Sequence, residues 1–318
     1  KADLIAINPN SNLVSVYRNT SSTGIINAGS FDAAINLTTG NAPYGVAVGD
    51  VDGDGKPDIV VPNENDTTIS VYHNTSTSGT ISFAARVNFA TNSVRPVGVV
   101  IGDIDGDGKP DLAVTCILFS MNVFRNTSTV GVIDNASFAS AVSFGGGNAS
   151  EHIAIGDIDG DGKPDLIKSN LNGGNVLVFR NTSTVGTITF DGGVSFATGL
   201  SPTTVEVGDL DGDGKLDMAV SVAGTHRVSV FHNTATPGSI NASSFATKVD
   251  FITGTSPRAV DIGDINGDGK PELVVSNNGS NSISIFRNNA TSGIINANSF
   301  LPKVDFTAAG GVWGVAIG

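Results

Sequence analysis

Short apolar runs rich in Val, Ile and Leu alternate along this chain with clusters of Gly, Asp, Asn, Ser and Thr, and no segment sustains a helical period. The runs recur in a fixed order. A strand such as 45–49 ends in Gly-Asp and enters an acidic, glycine-rich turn. A second strand leaves that turn at 59–62, 112–115, 166–169, 218–221 and 273–276. A third strand alternates and closes on an aromatic-basic-Asn signature, at 69–74, 123–126, 176–181, 228–233 and 283–288. After a Ser/Thr/Gly-rich turn, a fourth strand carries Phe-Ala or its like, at 83–89, 138–144, 194–196 and 245–251. Four short β-branched strands per unit, punctuated by turn residues, predict an all-β chain of four-stranded antiparallel blades.

The acidic turns begin at 50, 103, 157, 209 and 264, a period of about 53 residues that is near those of propeller blades. Repeat units therefore start near 1, 50, 103, 157, 209 and 264, and residues 1–318 read as a single β-propeller domain. Lys1-Ala2-Asp3 matches the seventh to ninth positions of the turn, and the segment 314–318 matches the first strand of a unit. The expectation is six blades closed by pairing of both termini. If the native protein runs on at either end, the six units become part of a seven-bladed ring.

Each turn has the composition of a loop folded around one hard cation. Ca²⁺ takes six to eight oxygens, and a short loop supplies them only if alternate side chains converge while glycines let the backbone turn sharply. The first loop offers Asp50, Asp52, Asp54 and Asp58, with the Lys56 carbonyl as a backbone ligand. The second offers Asp103, Asp105, Asp107, Lys109 and Asp111, and the third Asp157, Asp159, Asp161, Lys163 and Asp165. Asp209, Asp211, Asp213, Lys215 and Asp217 form the fourth, and Asp264, Asn266, Asp268, Lys270 and Glu272 the fifth. Asp3 marks a sixth, truncated site. These are not EF-hands, because strands flank them and the twelfth positions are Val61, Val114, Lys168, Val220 and Val275 in place of a bidentate Glu.

The loops also explain the charge. The formal net charge is −13, yet 19 of the 30 acidic residues lie in the five loops. Five bound Ca²⁺ ions would bring the total to about −3, so the acidity is mostly metal chemistry. Nucleic-acid binding, which wants a basic face, is disfavoured. The one cysteine, Cys116, has apolar neighbours and reads as a buried, inert thiol. Asn19, Asn74, Asn126 and Asn181 head Asn-x-Ser/Thr triplets that could accept glycans, although a turn Asn repeated with the blade is the plainer reading. No apolar run reaches the roughly 18 residues of a membrane span. Loops of this affinity class fill at extracellular calcium, which implies a secreted or cell-surface location.

The Asp-x-Asp-Gly-Asp-Gly-x-x-Asp loops, repeated along the whole chain, resemble FG-GAP/VCBS-type repeats, the family that includes the integrin α-subunit propeller. The resemblance implies a β-propeller with Ca²⁺ in the loop between the first and second strands of a blade, and roles in adhesion, ligand binding or surface display. It departs from integrins in blade number. A protein or glycan ligand is expected on the face opposite the calcium loops. That face would carry Tyr44, Asn63, Glu64 and Arg95, then Phe119, Glu151, His152, His226, Arg227, Arg258 and Trp313. Catalysis is not expected: there is no Gly-x-Ser-x-Gly or His-Glu-x-x-His, and Glu151 beside His152 reads as a polar loop. His73 and His232 stand where other units place Arg18, Arg125, Arg180 and Arg287, and read as strand residues. The reading is a calcium-stabilised, non-catalytic extracellular binding or adhesion module within a larger secreted or surface protein. Its rivals are a lectin propeller, weakened by the presence of one Trp and three Tyr, and a passive spacer.

Overall fold

A computed structural model describes residues 1–118 and 120–317. Its strands form six sheets in which consecutive strands pair as antiparallel meanders. Blade one holds β1 (Leu4–Asn8), β2 (Leu13–Tyr17) and β3 (Ile35–Thr38). Blade two holds β4 (Ala47–Gly49), β5 (Asp58–Asn63), β6 (Thr68–Tyr72) and β7 (Val87–Ala90). Blade three is β8 (Pro96–Gly102), β9 (Asp111–Cys116), β10 (Ser120–Phe124) and β11 (Val142–Gly145). Blade four is β12 (Ile153–Gly156), β13 (Asp165–Asn170), β14 (Asn175–Phe179) and β15 (Val194–Ala197). Blade five has β16 (Pro202–Gly208), β17 (Asp217–Val222), β18 (Arg227–Phe231) and β19 (Val249–Ile252). Blade six has β20 (Pro257–Gly263), β21 (Glu272–Asn277), β22 (Ser282–Phe286) and β23 (Val304–Thr307). One 3-10 turn, Ala223–Thr225, is the helical content of the described residues.

The predicted second strands are the best-covered elements. β5, β9, β13, β17 and β21 are buried at every position, because each lies inside its sheet with apolar neighbours on both faces. The chain forms two compact units, one of Lys1–Asp103 with Asp107–Phe144 and one of Ile104–Gly106 with Gly145–Ile317. In the first unit, Val60, Ile69, Val71 and Phe89 pack with Val99, Leu112, Val114 and Phe124. In the second, Ile167, Val176, Val178 and Phe196 pack with Val205, Met218, Val220 and Phe231, and blades five and six repeat the arrangement. Three of the seams contain an edge-to-face aromatic pair: Phe89 with Phe138 at 5.1 Å, Phe196 with Phe245 at 5.0 Å, and Phe251 with Phe300 at 5.1 Å. Such pairs contribute roughly 0.5–1.5 kcal/mol beyond their buried area.

Two expectations need correction. The fourth strands are shorter and later than read: Phe83, Phe138 and Phe245 make single bridges to Asn74, Asn126 and Asn233, and the ladders begin only at Val87, Val142 and Val249. The Phe rings are plugs for the seams, so apolar character there reports packing and not a strand. In blade one the sheet has three strands, and residues 311–317 belong to no strand. The Ile317 N–H is taken instead by the Asp261 Oδ2 at 2.6 Å. Phe119 lies outside the described residues. Cys116 is fully buried, as expected. No helix of the described residues is long and apolar enough to cross a membrane.

Candidate metal centres

Each acidic loop joins the first and second strands of a blade, and its geometry follows from two glycines. Gly53 and Gly55, at the fourth and sixth positions, have φ of +74° and +85°, and the other loops repeat these values closely. Only glycine occupies that region without penalty. The resulting curl turns successive N–H groups toward the first carboxylate. Asp50 Oδ1 accepts from Gly53 at 2.8 Å and Asp54 at 3.1 Å, and Oδ2 accepts from Gly55 at 2.8 Å. Asp157 and Asp209 are held alike. In the second loop, Gly108 donates to Asp103 and Lys109 to Asp107, both at 2.9 Å. In the fifth, the Gly269 N–H, with those of Gly267 and Asp268, outweighs burial and holds the Asp264 carboxyl below the usual carboxylate range.

The ninth-position carboxylate is a buried brace. Asp58 is fully buried; its Oδ1 accepts from the Asn74 N–H at 2.8 Å and its Oδ2 from the Val51 N–H at 3.0 Å. Asp165 and Asp217 repeat both bonds. Asp111 and Asp3 accept from the N–H of Asn126 and Asn19. Glu272 reaches the same partners with its longer arm and also accepts from the Asn266 amide at 2.7 Å. Burial pushes the carboxyls of Asp58 and Asp217 up to about 6 and that of Asp165 to about 7. Burial likewise raises Asp52 and Asp211, at the third position. A cation among these oxygens would reverse the penalty on their charged forms.

The residues present fit a hard divalent ion. Carboxylate oxygens of Asp50, Asp52 and Asp54 lie within 4.8 Å of one another, as do those of Asp157, Asp159 and Asp165. Oδ2 of Asp52 and of Asp211 is buried and meets Nδ1 of His73 and of His232, at 2.7 and 3.1 Å. All-oxygen donor sets on a short loop suit Ca²⁺. The seventh-position lysines do something the sequence did not suggest. Lys109, Lys163, Lys215 and Lys270 send Nζ to the carbonyls of Ser128, Ser183, Ala235 and Ala290 at 2.7–2.9 Å, latching the loop to the turn after the third strand.

The signature asparagines are a second finding. Asn233 donates from Nδ2 to the carbonyls of Leu216 in its own loop and Ile158 in the loop of blade four, at 2.9 and 2.8 Å. Asn126, Asn181 and Asn288 donate in the same way to Val51, Ile104 and Leu210. Asn74, Asn126 and Asn181 are therefore buried structural groups and not glycan acceptors. The preceding basic residue also faces the loop: Arg180 donates to Asp159 and Asp161 at 2.8 Å each, and His73 Nδ1 lies 2.7 Å from Asp52.

The residues expected on the opposite face divide. Asn63 is fully buried and holds the Gly40 N–H and two hydroxyls, so it is not a surface group. Glu64 pairs with Arg95. His226 accepts the Ser256 N–H, and Tyr44 and Trp313 are exposed, Trp313 by 61%. Arg258 pairs with Glu151 at 3.2 Å and lies 4.2 Å over the Trp313 ring. His152 Nε2 is 3.5 Å from Glu206. Burial, then repulsion from Asp261, pushes the Glu206 carboxyl up to about 8, and burial pushes His152 down to about 4. Glu206 and Asp261 were missed, although the corresponding first-strand positions in blades two to four are Ala47, Val100 and Ala154.

A β-propeller of four-stranded blades carrying acidic loops between first and second strands is what these features define. Residues 1–61, 53–114, 169–220 and 219–275 match the FG-GAP-like repeat, over more than half of the sequence, and the chain belongs to that family. No curated protein sequence matches it. A functionally unknown protein from Desulfotomaculum acetoxidans has a similar structure, with a TM-score of 0.62 at 16% identity, covering 94% of this chain and 78% of that one. A protein from Lactobacillus plantarum is similar at 0.63 and 16% identity, covering 98% and 83%. A catalytically inactive virginiamycin B lyase from Staphylococcus aureus, with quinupristin, is similar at 0.53 and 12% identity, covering 96% and 83%. At these identities the likeness is one of fold, and a fold that hosts an enzyme also hosts other functions.

Proposed function

We propose that this chain is a calcium-stabilised, non-catalytic binding or adhesion module, working outside the cell within a larger secreted or surface protein. The observation that carries the reading is the repeated cage of aspartates whose ninth-position carboxylates are fully buried in blades two to five. Ca²⁺ in the loop would neutralise those carboxylates and stiffen the second loop residue. That residue is clamped twice over. In blade two its N–H bonds Asp58 and its carbonyl takes the Asn126 amide of blade three. Metal binding therefore supports the contact between adjacent blades as well as the loop itself. The exposed Trp313 and the partly buried Arg258–Glu151 pair beneath it supply a polar and aromatic surface suited to a protein or glycan ligand.

The test is thermal melting with and without calcium. One site at a hundred times its Kd adds about 2.7 kcal/mol, so the melting temperature should rise with calcium and fall in EDTA. A melting curve indifferent to both would refute the calcium reading. Capture of a defined protein or glycan, lost on replacing Trp313 and Arg258 by Ala, would support the binding role.

A further inference from the structure

The loop of blade six departs from the other four complete loops at the third and ninth positions together, with Asn266 and Glu272 in place of two aspartates. In blades two, four and five, Oδ1 of the third-position aspartate accepts the N–H two residues on, from Asp54, Asp161 and Asp213 at 3.1–3.2 Å. The second oxygen is turned inward, where it meets His73, Arg180 or His232. Burial first, and then the charge of Asp52, Asp159 or Asp211, raises the cost of ionising the ninth-position carboxylate beside it. Two carboxylates held this way call for a cation.

Blade six removes that need. Asn266 Oδ1 accepts the Asp268 N–H at 3.0 Å, which fixes the amide's orientation and makes its second atom a donor. That Nδ2 bonds Glu272 Oε1 at 2.7 Å, so the two exchanged residues bond each other. With the N–H groups of Ile265 and Asn288, at 3.1 and 3.3 Å, three donors answer Glu272, where two backbone donors answer Asp58. The surroundings change in the same sense. Val51, Ile104, Ile158 and Leu210 at the second position are at most 2% exposed, whereas Ile265 is 45% exposed, and every residue from Asp264 to Lys270 faces water.

We propose that the blade six loop is closed by its own side chains and takes no calcium, the Asn266 amide standing where the other loops need a cation. Four of the five complete loops are then calcium sites. Calcium affinity in such loops follows the charge count of the ligands, and this loop has three carboxylates in place of four, one of them committed to an amide. Water around Asp264 and Asp268 screens the charge that remains. Blade six therefore keeps its loop geometry at calcium levels that empty the others. The inference rests on the calcium reading of those other loops.

The experiment counts calcium ions bound per chain by equilibrium dialysis in saturating calcium. N266D/E272D copies the regular pair into blade six and should bind one ion more than wild type. N266D alone should do the same, and provides a second background should the shorter arm perturb folding. D52N/D58E copies the blade six pair into blade two and should bind one ion fewer. Wild type binding as many ions as both blade six variants would overturn the proposal, as would D52N/D58E binding as many as wild type. Hydrogen exchange in EDTA is the second readout: the amides of Gly267, Asp268 and Gly269 should keep their protection while those of Gly53, Asp54 and Gly55 lose it, and equal loss in both loops would count against the inference. A chain that binds no calcium in any form overturns the calcium reading and this inference with it; a chain that binds calcium without the gain overturns this inference alone.

Discussion

Replacing the signature asparagines by Ala should destabilise the protein in proportion to the carbonyls each one holds. Asn233 is 1% exposed; its Nδ2 donates to Ile158 and Leu216, and its Oδ1 accepts from Ala235. Asn233→Ala leaves two buried acceptors and one buried donor without a partner. Each such group costs about 1–3 kcal/mol, and partial relaxation brings the expected loss to about 3–4 kcal/mol. Asn74 donates to the Pro57 carbonyl and accepts from Ser76, which predicts about 2 kcal/mol. Asn19 is half-buried and bonds Ala2 and Ser21 near the chain start, where water can replace it, so about 1 kcal/mol or less is expected. Urea unfolding followed by circular dichroism, in saturating calcium, ranks the three by midpoint. The backbone N–H of each Asn keeps its bond to the ninth-position carboxylate in the Ala variant, so the series isolates the side chain. If Asn233→Ala lost no more than Asn19→Ala, with unchanged unfolding slopes, the coupling of blades through these amides would be refuted.

Glu206→Gln should stabilise the protein as pH rises. Its folded pKa of about 8 lies above the ordinary carboxyl value, so the folded state holds a proton the unfolded state has lost, and wild-type stability falls between about pH 4.5 and 8. His152, depressed to about 4, pulls the other way below about pH 6.5, which leaves pH 6.5–8 as the clean window. With its side chain 31% exposed, the gain is about 1–2 kcal/mol after solvent screening, and a variant no more stable than wild type at pH 8 would contradict it. Gly45→Ala should cost at least about 2 kcal/mol, because the new Cβ would meet the Val97 carbonyl oxygen at 2.4 Å, a backbone atom that cannot swing away. Gly192→Ala, where no atom lies within 4 Å, is the matched control and should fall within about 0.5 kcal/mol of wild type in the same denaturation assay.

The repeat and its loops were legible because a cation cage needs oxygen donors at alternate positions and glycines at two fixed ones, a constraint written in consecutive residues. The central strands were legible for a similar local reason. The asparagine signature was visible too, but its meaning was not. Asn233 finds the Ile158 carbonyl 75 positions away, and no local period encodes which unit an amide faces. His73 and His232 were hidden for a different reason: alignment with the arginines placed them on third strands, while their contact with loop carboxylates 21 positions earlier depends on how two strands of one blade converge. Glu206 and Asp261 left a clearer trace. They interrupt a first-strand pattern that blades two to four fill with Ala47, Val100 and Ala154, and an acid at an apolar register position signals a buried charge.

These observations make the loop, more than the sheet, the unit through which a blade senses its neighbour. The hydrophobic term that holds a blade's seam is non-directional. The Asn–carbonyl bond is not: it ties one residue of one loop to one side chain of the next blade, at 2.7–2.8 Å in each of the four cases. The second loop residue can present that carbonyl only while its own N–H is held by the ninth-position carboxylate, as Val51 is by Asp58. Burial raises the cost of ionising that carboxylate, and a bound cation lowers it. Calcium should therefore tighten registry between blades as well as raise stability, and its removal should loosen hydrogen-exchange protection first at Val51, Ile158 and Leu210, ahead of the central strands.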